Sequence, residues 1–330
     1  MTRRNRVKTA LALKPPDYTP GNIELCAPTM AAFTKKYGVK PAEFFNFAGN
    51  HFEKISYNGG SAKEPHFFVD EFGVTWNRAG GDDIGVVDKY LLSEPDLKGF
   101  KFPKVGTADI KARTEKVLNN GRDAFKAGKI GMLLFERAWS LRSMEELLVD
   151  FYENEEFADE LFTKITDYNL LIIKEALKYP VDGFYFGDDY GQQTGLIMGA
   201  ALWRRFIKPH LARTFAPIKK KGLPVVLHSC GNIYDILGDL KEIGLDCYQT
   251  VQPEVYDFAR LKKDFRLAFF GGISTQQFLP YAKPGEVKAK IKETCGVLGK
   301  GGGYICAPTH QVPADVPPEN IMAMIEALKK

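Results

Sequence analysis

The chain has 330 residues, 45% hydrophobic and 26% charged, a globular balance long enough for one large barrel or two ordinary domains. A net charge of +4, with no dense basic run beyond Thr2–Lys8, argues against a dedicated nucleic-acid binder. No run of about 18 apolar residues exists, so no transmembrane helix is expected, and the TRRNRVK start lacks the apolar core of a secretory signal. Five cysteines (Cys26, Cys230, Cys247, Cys295 and Cys306) form no regular framework. They read as free or metal-bound thiols in a reducing compartment, hence a cytoplasmic protein.

The first 130 residues are irregular, with turn-rich pieces at Lys14–Pro20, Asn58–Glu64 and Ala79–Asp83. The aromatic run Phe44-Phe45-Asn46-Phe47, with Phe52, reads as core packing rather than a pocket wall. From about residue 130 short apolar segments alternate with helical patterns. Strands are expected at Ile130–Arg137, Asp182–Asp189, Pro224–Gly231, Asp246–Pro253, Leu267–Ser274 and Gly302–Thr309. Helices are expected at Ser143–Tyr179 (two of them), Ala201–Lys221, Ile233–Ile243, Asp257–Asp264, Gly285–Leu298 and Pro317–Lys330. Ser143 with Glu146 fits a capping box, and Gly222 and Gly244 stand where helices should end. The glycines of Gly299–Tyr304 match neither a P-loop nor a dinucleotide fingerprint and read as a tight helix-to-strand connection. Six β–α units, with room for two more before them, predict a single (β/α)8 TIM barrel over 1–330. Residues to about 80 form an N-terminal extension and the first strands. An open doubly wound sheet is the alternative.

Polar residues gather where these strands end: Glu136, Asp188, Asp189, His228, Cys230, Gln252 and Cys306. In a barrel those ends converge on the face where active sites are built. In His228-x-Cys230 the two side chains of an extended segment point the same way and can converge on one ion. The pair alone fits a core cysteine beside a satisfied histidine equally well. Cys306, ending the last strand, reads by itself as a buried structural cysteine, but it can supply a third donor, and together the three give His-Cys-Cys, which with one open position suits catalytic zinc. Cys26, Cys247 and Cys295 are not expected to be ligands. The loop GDDYGQQ after Gly187 offers Asp188 and Asp189 for metal binding or proton transfer, or simply a capped turn. His310 could bind substrate or be a surface histidine.

From about Leu134 onward the chain resembles the uroporphyrinogen decarboxylase superfamily. The pieces that carry the resemblance are VDGFYFGDDYGQQ, ALWRRFIKPH, VVLHSCG, LAFFGGIS and APTHQVPADVPPEN, with a fainter Asp70-Glu71-Phe72-Gly73 earlier. The superfamily holds decarboxylases and cobamide-dependent methyltransferases. The RQAGRY-type motif of the decarboxylases has no counterpart here. His228, Cys230 and Cys306 are similar to the zinc ligands of the methylcobamide:coenzyme M methyltransferases, and related zinc enzymes begin O-demethylation of aryl ethers. The resemblance therefore implies a zinc-dependent methyltransferase moving a methyl group between a small methyl ether or thiol and a cobalamin. No Asp-x-His-x-x-Gly motif is present, so the cobalamin is expected on a separate corrinoid protein. Asp188, Asp189 or Glu136 would supply a fourth ligand or orient substrate, with Gln252, His310 and Tyr190 lining the pocket. The alternatives are a metal-independent porphyrin-type lyase and a non-catalytic, zinc-stabilised binding protein.

Overall fold

A computed structural model describes residues 1–79 and 85–329. Most of the turn-rich Ala79–Asp83 stretch and the final Lys330 lie outside the described residues. Seven parallel strands form one sheet: β1 (Phe52–Ser56), β2 (Phe125–Ile130), β3 (Gly183–Gly187), β4 (Val225–His228), β5 (Cys247–Val251), β6 (Ala268–Ile273) and β7 (Tyr304–Pro308). They lie side by side in chain order, each joined to the next through helical crossovers, as the alternating pattern predicts.

The eighth position is filled without a full strand. Gly21 and Leu25 make isolated parallel bridges to Cys306 and Val312. On its other side this segment meets β1 through His51 N–H to the Gly21 carbonyl at 3.1 Å. Asn50 Oδ1 accepts from Ile23 N–H at 2.8 Å, and Asn22 Oδ1 accepts from Phe52 N–H at 3.2 Å. Two asparagine side chains thus stand in for the missing ladder, and the barrel closes.

Inside, alternate residues of every strand fill the centre, among them Phe52, Phe125, Val226, Cys247, Ala268 and Ile305. Val7, Ala10 and Leu11 of the first helix, Arg3–Leu11, belong to the same cluster and plug the N-terminal end. The basic start is consumed by this docking. Arg4 and Lys8 pair with the buried Asp182 at 2.6 and 2.8 Å, and Arg6 with Asp17 at 2.7 Å. Phe33 and Phe44 meet edge to face in the outer core, as expected for the aromatic run.

One predicted strand is displaced. The strand is Phe125–Ile130, whereas Ile130–Arg137 is a strand end, a turn and the start of the helix Phe135–Arg142. Lys126 and Lys129 disguise the real strand by interrupting its apolar run. Lys126 turns outward to the Leu118 carbonyl and Asn120, while Lys129 turns inward near the mouth. The remaining strands and helices fall where the sequence pattern places them. Ser143 caps its helix by accepting from Glu146 N–H at 3.2 Å, while the Glu146 carboxylate instead takes Arg142 at 3.1 Å. Three consecutive glycines, Gly301 to Gly303, adopt positive φ in the turn before β7.

An antiparallel insertion, Gly60–Glu64, Phe67–Asp70, Thr75–Asn77 and Val86–Val87, follows β1. Buried Asp70 ties it to the barrel, accepting from Phe72 and Val74 N–H, Trp76 Nε1 and Arg137 at 2.5 to 3.0 Å. No helix among the described residues is long and apolar enough to cross a membrane.

Candidate metal centre and pocket

His228 is the last residue of β4, and the strand's alternation that turns Val226 inward also turns His228 toward the barrel mouth. Its register partner on β5 is Gln249. His228 Nδ1 bonds Gln249 Oε1, which also accepts from Tyr185 Oη at 2.7 Å. An amide oxygen accepts only, so Nδ1 carries the proton and Nε2 presents its lone pair to the cluster. Cys230 Sγ and Asp189 Oδ1 each lie 3.5 Å from Nε2. The three donor atoms, N, S and O, sit within 4.8 Å of one another.

The loop carrying them is fixed by its backbone. Cys230 N–H donates to Asp189 Oδ1 at 2.8 Å, and Gly231 N–H donates to Gln252 Oε1 at 2.7 Å. Gly231 has φ of +75°, and a Cβ there would collide with the Gly191 backbone, so this sharp turn requires glycine. Burial pushes the His228 imidazole below its ordinary value, against the pull of Asp189. A neutral imidazole, a thiol sulfur and a half-exposed carboxylate, with the imidazole oriented from behind, form a set that fits zinc.

The cluster opens on a cavity of about 280 Å³ lined by Lys54, Lys129, Glu136, Tyr185, Phe270 and His310, among others. The His310 ring faces His228 with centroids 6.0 Å apart. Burial, then Asp189 and Asp188, raise the Glu136 carboxyl well above the usual carboxylate range.

Of the residues expected to form the site, Asp189, His228, Cys230, Glu136 and His310 come together. Four do not. Cys306 sits between inward-facing Ile305 and Ala307, so it faces outward, where Tyr304 and Cys295 of the helix Pro284–Leu298 are its neighbours. The hydrogen bond with Cys295 and burial raise its thiol well above the ordinary cysteine value. Asp188 is wholly buried. It accepts from the N–H groups of Leu134, Phe135 and Glu136 at 3.1, 2.9 and 2.8 Å and from Tyr190 Oη at 2.7 Å. It caps the helix Phe135–Arg142, and burial pushes its carboxyl up to about 7. Tyr190 is buried against it and is not among the residues lining the cavity. Gln252 is occupied by Gly231. Gln249, Lys54 and Lys129 are pocket residues that the sequence reading missed. Lysines within otherwise buried strands were the available signal for the last two.

This is a barrel of the (β/α)8 class with its polar cluster at the C-terminal mouth, where barrel enzymes build their active sites. A family model described as uroporphyrinogen decarboxylase (URO-D) matches residues 135–330, and the chain belongs to that family. Uroporphyrinogen decarboxylases of two Thermus thermophilus strains are 25% identical over 137 residues, which is 40% of this chain and 38% of theirs. The match thus spans well under half the length of those curated relatives. Among solved structures, a methyltransferase from Methanosarcina mazei superposes with a TM-score of 0.76 at 18% identity, over 99% of this chain and 98% of that one. At that identity the likeness is one of fold.

Proposed function

We propose that this protein is a zinc-dependent methyltransferase that moves a methyl group between a small methyl ether or thiol and the cobalamin of a separate corrinoid protein. The observation that carries the reading is the convergence of His228 Nε2, Cys230 Sγ and Asp189 Oδ1 at the barrel mouth. His228, Cys230 and Asp189 would hold the metal, with His310 facing them across the pocket. Bound zinc would supply positive charge to stabilise a substrate thiolate or polarise an ether oxygen.

The chain's own groups have separable tasks in this reading. Gln249 holds the His228 tautomer, and the Cys230 N–H orients Asp189. Glu136, facing the same cavity, is the group placed to hold or move a proton at the substrate's reacting oxygen or sulfur. Tyr185 and Phe270 provide an apolar surface for the body of the substrate. A cavity of about 280 Å³ lies at the small end of ligand pockets. A cavity of this size is in keeping with a small methyl donor or acceptor.

The test is a methyl-transfer assay on zinc-loaded protein with free cobalamin, screening thiols against methylcob(III)alamin and aryl methyl ethers against cob(I)alamin. Turnover that disappears with Cys230→Ser supports the proposal. Turnover of a carboxylated substrate to carbon dioxide by metal-free protein would favour the lyase instead. Stoichiometric zinc without turnover of any donor would favour a zinc-stabilised binding protein.

A further inference from the structure

Away from the mouth, two thiols meet in the layer between the barrel and its helices. Cys306 on β7 points outward, toward the helix Pro284–Leu298 that precedes the strand and packs back over it. Val287, Ile291, Thr294 and Leu298 form the buried face of that helix. Cys295 comes four residues after Ile291 and three before Leu298, so it shares this face. It is half-buried and packs against the core, whereas Cys306 is wholly buried beneath it. Both are reduced, and their side chains are hydrogen-bonded to each other. That bond and burial raise the Cys306 thiol well above the ordinary cysteine value, so Cys306 keeps its proton. Cys295 is therefore the sulfur that an oxidant meets first.

We propose that Cys295 and Cys306 are a peroxide-responsive pair, with Cys295 attacked first and Cys306 closing a reversible disulfide onto it. This modification site is separate from the metal centre and does not depend on the proposed methyl transfer. The Cys295 thiolate attacks one oxygen of hydrogen peroxide. The O–O bond breaks, the departing hydroxide takes up a proton and leaves as water, and Cys295 becomes a sulfenic acid. The Cys306 sulfur then attacks the Cys295 sulfur: the S–S bond forms, the S–O bond breaks, and the hydroxyl leaves with the Cys306 proton as a second water. The two thiols together lose two electrons, which the peroxide gains. The link fastens the helix to β7 where the N-terminal segment closes the barrel. There Cys306 N–H donates to the Pro20 carbonyl at 2.8 Å and its carbonyl accepts from Asn22 N–H at 3.0 Å. A dithiol reductant releases the link by exchange.

Peptide mapping by mass spectrometry tests this in the full chain. Trypsin cleaves after Lys292 and Lys300, so Cys295 and Cys306 fall on separate peptides. Wild type treated with hydrogen peroxide, alkylated and digested without reductant should yield these two peptides joined, two hydrogens lighter than their sum. Dithiothreitol should separate them and restore both thiols. Under the same treatment Cys306→Ser should stop at the sulfenic acid, trapped on Cys295 by dimedone, and Cys295→Ser should keep Cys306 as a thiol. Unlinked peptides from treated wild type, with Cys295 still a thiol or carried on to sulfinic acid, would overturn the proposal. So would oxidation of Cys306 in Cys295→Ser protein to the extent seen in wild type, since Cys295 would then not be the sulfur attacked first.

Discussion

His228 on β4 and Gln249 on β5 are register partners, and the Gln249 amide oxygen takes the Nδ1 proton of His228. This bond decides which ring nitrogen is offered to the cluster. Removing the amide frees the ring to rotate or change tautomer, without deleting any donor atom. Gln249→Ala should therefore weaken zinc binding by about tenfold to a hundredfold, as loss of a ligand's supporting hydrogen bond typically does. Competition with a fluorescent chelator measures it, and unchanged affinity would remove Gln249 from the centre.

Asp188 illustrates the opposite case, a carboxylate near the site that serves the scaffold. It holds three backbone N–H groups at the start of the helix Phe135–Arg142 and the Tyr190 hydroxyl. Asp188→Ala leaves four buried donors short of an acceptor and should cost about 3 kcal/mol or more of stability. Denaturant unfolding should reveal this directly. A stable Asp188→Ala protein with its catalysis abolished would instead put Asp188 in the chemistry.

Much of this was legible in the residues. Apolar runs gave the parallel strands from Gly183 onward, and His-x-Cys at a strand end gave two of the three clustered donors. Cys306 lies apart from the cluster: counting from inward Ile305 and Ala307 turns it outward, away from His228. Its position near the end of an apolar strand resembled that of His228, but its side of the sheet depends on register, which a single sequence does not display. Which of Gln249 and Gln252 meets the histidine is likewise shown only by the β4–β5 pairing. Lys129 was hidden because a charged residue lowers the apparent strand character of the segment that carries it. The eighth barrel position was invisible because asparagine side chains, rather than a regular ladder, tie Gly21–Leu25 in place.

His51 gives a pH dependence to the closure of the barrel. Its ring lies buried at the junction, with Nδ1 3.1 Å from the Gly21 carbonyl and Nε2 3.1 Å from Arg6. Because Arg6 is always a donor, Nε2 accepts and Nδ1 donates. Burial, and then Arg6, push its pKa down to about 4, from the ordinary 6.5. The unfolded chain thus takes up this proton at a higher pH than the folded one. The corresponding stability is complete above pH 6.5 and is lost as the pH falls toward 4, by at most about 3 kcal/mol. Urea unfolding at several pH values should show this slope, and His51→Gln should flatten it. An equal slope in the variant would assign it to other groups.

Metal content distinguishes the donor cluster proposed at the barrel mouth, Asp189, His228 and Cys230, from the His228, Cys230 and Cys306 set that the family resemblance implies. With zinc supplied during expression, the wild type and Cys306→Ser should each carry about one zinc per chain. Cys230→Ser and His228→Ala should each carry almost none while remaining folded. Zinc lost from Cys306→Ser and kept by Cys230→Ser, or a stable wild type that binds no zinc, would contradict the proposed centre.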